Sequence, residues 1–382
     1  MPLRTAPFLR SRRAGLLAAT WLVLAPLANA LAADRFVAHE ICDCQVTGLS
    51  ADGRVAVGRM RTGAPFLWTP QRGVEILGRN PYGHDVSLDE DMPAISGDGR
   101  RVAATIRDRR TGDAVQGVWT RATGWRQARA LPPDAGAADG VASVVSGLSR
   151  DGKVVVGSYV RATGEGGRSH ASTWTAAGGL QGLGSGGGLS WLHAASADGA
   201  VQVGVDTDPV LGYHRAAVWA GGQRQWVDES TISWGRAINA AGDTVVGAAV
   251  DQTGEYAAAL WRRQGGQWLL QSLGRLPDAT GFAVANGVSD DGGTVVGEGA
   301  WVDRIFDLRQ TGFVWTAETG LLPAIDFFGG RLAGMGTEHR IDTITTISGD
   351  GQVMGVVARR SDWQEPLYRS YLVHRVPAGE AR

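Results

Sequence analysis

The chain is 382 residues long, with 43% hydrophobic and 20% charged residues, 56 glycines and a formal charge of −1. Glycine at about twice its usual ~7%, beside that apolar fraction, excludes a disordered chain and reads as a turn-rich folded one. Without its basic start (Arg4, Arg10, Arg12 and Arg13, with no acid before Asp34) the chain carries −5, from −1 − 4, which excludes the basic surplus of a nucleic-acid binder.

The basic start leads into an apolar run over 14–27, interrupted by Pro26, and then into the small residues "ANALAAD". This is the pattern of a signal peptide over residues 1–32, cleaved after Ala30 or Ala32. The run is shorter than the ~20 apolar residues of a spanning helix, so no membrane span is expected after cleavage. "SRRAGLL" resembles a twin-arginine signal, but Gly15 stands where its aromatic belongs, which favours the general secretory route. The expected location is periplasmic or secreted, with residues 33–382 forming a single domain.

Next comes "RFVAHEI" (Arg35–Ile41), a strand with no hairpin partner ahead of it. Cys42 and Cys44 are the only cysteines. In an oxidising compartment they are a disulfide candidate if the chain turns between them, because such near neighbours on an extended strand sit at the limit of disulfide reach. A lone C-x-C supplies too few ligands for tetrahedral zinc. No metal site and no cofactor is expected.

From Leu49 onward the sequence repeats. "LSADGRVAVG" (Leu49–Gly58) returns as "LSRDGKVVVG" (Leu148–Gly157) and "VSDDGGTVVG" (Val288–Gly297). Its Ser-x-Asp-Gly core is intact at Ser50–Gly53, Ser96–Gly99, Ser149–Gly152, Ser196–Gly199, Ser289–Gly292 and Ser348–Gly351, and "NAAG" (Asn239–Gly242) is a degenerate seventh copy. Ser and Asp side chains bond nearby backbone N–H groups and Gly takes the positive φ of a tight hairpin, so each copy is expected to be a hairpin corner. A β-branched run follows, ending in Gly58, Gly157, Gly204, Gly247 or Gly297, with Gly355 one residue early and Ala104 in the second copy. Then comes a short strand carrying Trp68, Trp119, Trp174, Trp219, Trp261 or Trp315, with Val373 in the last copy. A glycine turn and a fourth strand close the unit. Because Gly inside a strand marks a close approach, the Trp of the next strand is expected to lie over it.

The final glycines of the corners are 46, 53, 47, 43, 50 and 59 residues apart. That period with four strands per unit predicts an all-β protein, a seven-bladed β-propeller. The last copy stops after its third strand, "YRSYLVHRV", so Arg35–Ile41 is expected to complete the last blade and close the ring, removing exposed sheet edges.

"SHASTWT" (Ser169–Thr175), preceded by "LSRDGKVVVG", resembles the HAF repeat of bacterial exported proteins, named for a His-Ala-Phe ahead of the aromatic strand. His170 and Ala171 match the name and Ser172 departs from it, while the other copies keep the Trp without the His-Ala. The resemblance runs through essentially all of the chain after the signal and implies an extracytoplasmic repeat protein. The corner itself is also similar to that of Tol-system propellers.

No catalytic motif stands out. The corners resemble the Asp-box of sialidases, but their Gly directly follows the Asp, and the histidines show no i, i+4 pair. The residues outside the repeat say more. Trp191 and Trp234 each lie five residues before the first corner residue of the fourth and fifth copies, in the loops leading into those blades; Trp301 and Trp363 fall between second and third strands of the last two. A propeller places both loop classes on the face opposite the corners. With His193, Tyr213, His214, Arg236, Asp303, His339, Arg340 and Asp362 nearby, they define a candidate ligand rim, with His193 and Arg236 just inside the channel. Flat indoles stack on sugars or anchor protein partners. The expected function is a monomeric, non-catalytic binding module for an envelope glycan or protein. The alternative is a glycan lyase or hydrolase drawing an acid or base from Asp303, Asp362, His193 and His214.

Overall fold

A computed structural model describes residues 35–79, 92–108, 112–128, 142–161, 168–184, 188–228, 232–277, 281–302, 308–330, 332–360 and 368–377. Residues 1–32, expected to be a signal peptide, and the expected rim residues Asp303, Asp362 and Trp363 lie outside them. The described strands form seven antiparallel sheets of four strands each, the blades of a seven-bladed β-propeller. The innermost strands, in blade order, are Cys44–Leu49, Ala94–Ile95, Ser143–Leu148, Ser190–Ala195, Ser233–Ile238, Ala283–Val288 and His339–Ile347. Apolar clusters fill the gaps between blades. Val203 and Val218 of blade four, for example, pack with Ile238, Val245 and the fully buried Trp261 of blade five.

The ring closes as expected. Arg35–Cys42 pairs with Tyr368–Val376, from Arg35 opposite Val376 to Cys42 opposite Ser370, as the outermost strand of blade seven. A second contact holds it there: Ala38 N–H donates to the Ala333 carbonyl at 2.7 Å, and the Phe36 ring packs on Phe327 and Phe328 at 5.5 and 4.9 Å. Burying Phe36 stabilises this latch by roughly 1.5–3 kcal/mol. The chain bends at Asp43, bringing the Cα atoms of Cys42 and Cys44 to 5.2 Å, and the two form a disulfide where the latch strand passes into blade one.

The corners are built from their own side chains. Ser50 Oγ donates to Asp52 Oδ1 at 2.7 Å and accepts from Val55 N–H, while Asp52 Oδ1 accepts from Arg54 N–H. The same Ser–Asp relay recurs at Ser96, Ser149, Ser196, Ser289 and Ser348. In the degenerate copy Asn239 does both jobs, its Oδ1 accepting from Asp243 and Thr244 N–H and its Nδ2 donating to Asp243 at 2.8 Å.

The corners also bond to one another. Ala51 N–H donates to Gly97, Gly97 to Arg150, Asp151 to Ala197, and Ala197 to Ala240. Asn239 Nδ2 carries the chain to the Asp290 carbonyl, Asp290 N–H donates to Gly349, and Gly349 N–H returns to Ala51. This hydrogen-bonded circle ties all seven blades at one end of the axis. The second residue of each corner crowds there, which explains why most are Ala or Gly. The two long ones, Arg150 and Asp290, form an ion pair between blades three and six. Burial pushes the Asp290 carboxyl up and Arg150 pulls it back.

One expectation is corrected. The strand glycines do not make room for Trp. A methyl on Gly58, Gly157, Gly204, Gly247 or Gly297 would collide with a backbone carbonyl, that of Gln45, Val144, Trp191, Trp234 or Val284. The cause is a β-bulge in the inner strand. Its ladder skips one residue opposite each of these glycines: Thr47, Ser146, His193, Arg236 and Asn286. The inner strand of blade seven skips Thr345, and Asp342 as well. The extra residue bends the strand and drives a carbonyl toward the second strand, where only Gly fits. Tryptophan fills the gap between blades instead.

Candidate functional site

Thr47, Ser146, His193, Arg236, Asn286 and Thr345 each sit three positions before their corner, beside the axis, and these positions do two different things. In three blades the bulge side chain stitches its blade to the next. Thr345 Oγ1 donates to Val46 O at 2.6 Å, Thr47 Oγ1 to Pro93 O at 2.6 Å, and Asn286 Nδ2 to Ile344 O at 3.3 Å. Ser146 and His193, at the same position in blades three and four, make no such bond among the described residues. A cavity of about 490 Å³ opens where those stitches are missing.

The cavity lies at the face opposite the corners and spans blades three to five. Val144 and Ser146 line it from the inner strand of blade three, with Ser158, Val160 and Ser169 from the second and third strands of that blade. Blade four contributes Leu189, Trp191, His193 and His214; blade five contributes Trp234 and Arg236. Ser146, Ser158 and His193 are 8%, 5% and 5% exposed, so these polar side chains are held away from bulk water.

His193 is the centre of the constellation. Trp191 Nε1–H donates to its Nε2 at 2.8 Å. An indole nitrogen is only a donor, so Nε2 must be the bare nitrogen and the ring proton sits on Nδ1. Nδ1 has no partner among the described residues. Burial, and then the charge of Arg236, holds the imidazole well below its ordinary range, so it is neutral at pH 7 and keeps this tautomer. His193 therefore presents one buried, unused N–H donor. The aromatic wall is fixed in place: His214 meets the Trp191 ring edge-on at 5.2 Å, and Tyr256 stacks on one face of Trp234 at 4.4 Å.

Of the expected rim, the structure brings together Trp191, His193, His214, Trp234 and Arg236. Trp191 and Trp234 are not in loops. They are the second residues of the inner strands, paired with Val205 and Ala248, because the bulge lets the ladder resume on its far side. Trp301 is likewise in a strand, opposite Arg309. Tyr213 belongs to the 208–213 turn of blade four, where its carbonyl accepts from Asp208 N–H, and does not line the cavity. His339 and Arg340 begin the inner strand of blade seven, where His339 packs on Tyr371 and Arg340 pairs with Asp342, apart from the cavity.

Sequence reasoning missed the half of the site contributed by blade three. Ser146 stands in the same place before its corner as His193 and Arg236 do before theirs, and Val144 in the same place as Trp191 and Trp234. Aligning the copies on those two positions would have found them, but a serine and a valine attract no notice alone.

The fold and cavity together define the class, a seven-bladed propeller with a ligand-sized hollow at the open end of its axis. No family model matches the chain, and no curated protein does. Among solved structures it is similar to a putative TolB from Agrobacterium tumefaciens, at 16% identity over 62% of this chain and 88% of that one, with a TM-score of 0.41. It is also similar to TolB from Acinetobacter baumannii, at 12% identity over 86% of this chain and 65% of that one, with a TM-score of 0.44.

Proposed function

We propose that the chain is an exported repeat protein of the HAF type that acts in the periplasm, or outside the cell, as a monomeric non-catalytic binding module. Its ligand is part of an envelope glycan or protein, held in the cavity of blades three to five. The observation that supports this reading is the local loss of stitching. Where blades one, six and seven spend the bulge residue on holding the ring, in blades three and four Ser146 and His193 line a hollow of ligand size. Ser146 and Ser158 carry hydroxyls bonded to no described residue, and a ligand in the hollow can satisfy them. The location follows from residues 1–32, and among the described residues no helix is long and apolar enough to cross a membrane.

The test uses the protein after removal of residues 1–32 and a variant, Ser158→Phe, that fills the cavity. Envelope extract is separated into polysaccharide and protein fractions, and binding to each is followed by tryptophan fluorescence. A fraction that binds the native protein and not the filled variant supports the site. Binding that survives the filled cavity overturns it.

A further inference from the structure

A second hollow lies at the corner end, away from the cavity of blades three to five. It is a crevice of about 710 Å³ between blades one and two. Leu67, Thr69 and Arg72 line it from blade one, and Asp98, Arg100, Arg101, Trp119 and Arg121 from blade two. Four arginines thus meet in one place on a chain that carries −5 beyond its basic start. Their charge is only half answered. Glu75 alone serves two of them, pairing with Arg72 at 3.3 Å and with Arg121 at 2.6 Å. Arg101 donates to a neutral acceptor, the Gly152 carbonyl, at 3.0 Å. The Arg100 guanidinium has no hydrogen bond or ion pair among the described residues. With Asp98 the only acid in the lining, four guanidiniums face two carboxylates, an excess of two positive charges.

The repeat does not require this charge. In blades three and four the positions of Arg72, Arg100, Arg101 and Arg121 hold Gly178, Ala200, Val201 and Gly221. Neighbouring blades therefore pack without arginine there. A lone exposed arginine is an ordinary solvated charge, but four gathered at positions that can be neutral form a cationic surface.

The lining also selects among anions. Arg121 sits 5.7 Å from the Trp119 ring, and that half-buried indole and Ala122 give the crevice an apolar side, which a phosphate chain has nothing to cover. The Thr69 and Thr120 hydroxyls and Asp98 Oδ1 are already bonded inside their own turns. What remains is mostly N–H donors, which suit carboxylates and leave the many hydroxyl protons of a sugar without acceptors. A long polyanion or an anionic membrane would also meet the net negative charge of the rest of the chain. Glu75 shows the favoured chemistry in place: a glutamate on a β-strand reaching two planar guanidiniums.

We propose that the crevice between blades one and two docks a short acidic segment of a partner protein. Its carboxylates take Arg100 and Arg101, and its apolar side chains lie on Trp119. This surface is separate from the cavity of blades three to five and does not depend on it.

Calorimetric titration of the protein lacking residues 1–32 decides this with four probes: a capped peptide of alternating glutamate and leucine, its glutamine counterpart, a galacturonate trisaccharide and inorganic triphosphate. The acidic peptide should bind about ten-fold or more tighter than the glutamine peptide, the factor that one hydrogen bond to a charged group supplies, and should weaken as salt is added. The double variant Arg100→Ala, Arg121→Gly carries blade four's residues at those positions, so it should keep its melting temperature and lose the preference for acid. Arg100→Glu, which breaks no side-chain bond, should repel the acidic peptide. Ser158→Phe, in the other cavity, should leave peptide binding intact. Equal binding of the two peptides, tighter binding of the trisaccharide or triphosphate, or binding by none of the probes overturns the acidic-segment assignment. Acidic-peptide binding that survives Arg100→Glu, or that Ser158→Phe abolishes, overturns the site.

Discussion

The two ends of the propeller axis are built by opposite rules. At the corner end every blade repeats one device, the Ser–Asp relay or its Asn239 substitute, and the corners bond in a closed circle crossed by Arg150 and Asp290. At the other end the same backbone bulge recurs but its side chain changes from blade to blade: Thr47, Ser146, His193, Arg236, Asn286, Thr345. A group repeated around a ring cannot mark one place on it. A position that is structurally constant and chemically variable can, and there the blades divide into those that stitch and those that face the cavity.

The change expected to act most strongly touches both sides of that contrast. Gly247→Ala places a methyl against the Trp234 carbonyl, so the bulge must open. The cost should be ~1–3 kcal/mol, as for other overpacked interiors, and because Trp234 lines the cavity, ligand affinity should fall as well. Chemical denaturation with a parallel binding titration measures both. A variant with native stability and native affinity would show that the bulge does not position the site.

A smaller effect separates the two kinds of bulge residue. Thr345→Val removes a stitch and leaves Val46 O without that donor, at a cost of about 1 kcal/mol, with no change at the cavity. His193→Thr places a stitching residue where the stitch is missing. It should leave stability unchanged or raised and should abolish binding, the usual trade between stability and function. If His193→Thr destabilises the fold as Thr345→Val does, His193 is structural and the contrast collapses.

The smallest effect per residue belongs to the corner aspartates. Hydrogen bonds from the corner serine, Ser96 or Ser289, are the largest cause holding the carboxyls of Asp98 and Asp291 below their ordinary 3.8. A depressed carboxyl stabilises the fold above its unfolded value and loses that contribution as pH falls through the folded one. Thermal stability should therefore be level near neutrality and decline below about pH 3.8. Ser289→Ala should flatten part of that decline. Melting temperatures across the acid range that do not differ between the native protein and Ser289→Ala would remove the relay from the account.

The repeat was legible because its bonds are local. Ser50 reaches Asp52 and Val55 within a few residues, so the motif, the strand runs and the count of blades could all be read along the chain. The unpaired strand Arg35–Ile41 and the missing fourth strand of the last copy likewise announced the closure. Of the tryptophans outside the pattern, Trp191 and Trp234 line one cavity at the end of the axis opposite the corners. The rest of the site was not legible. In the sequence the strand glycines read as seats for tryptophan, because an aromatic near a glycine is a common pairing, whereas the obstruction is a carbonyl displaced by a bulge, which no residue type encodes.

What the sequence determined by itself is therefore the covalent period and the short-range hydrogen bonds that turn it into hairpins, which together leave a closed seven-bladed ring as the economical solution. Tertiary structure alone decided which side chains would act together. Whether a bulge residue stitches or faces the cavity depends on where the neighbouring blade places its carbonyls, across a separation of 46 residues for Thr47 and Pro93. Ser146, His193 and Arg236 lie in three different copies of the repeat and become one site only because adjacent blades bring their inner strands side by side around the axis.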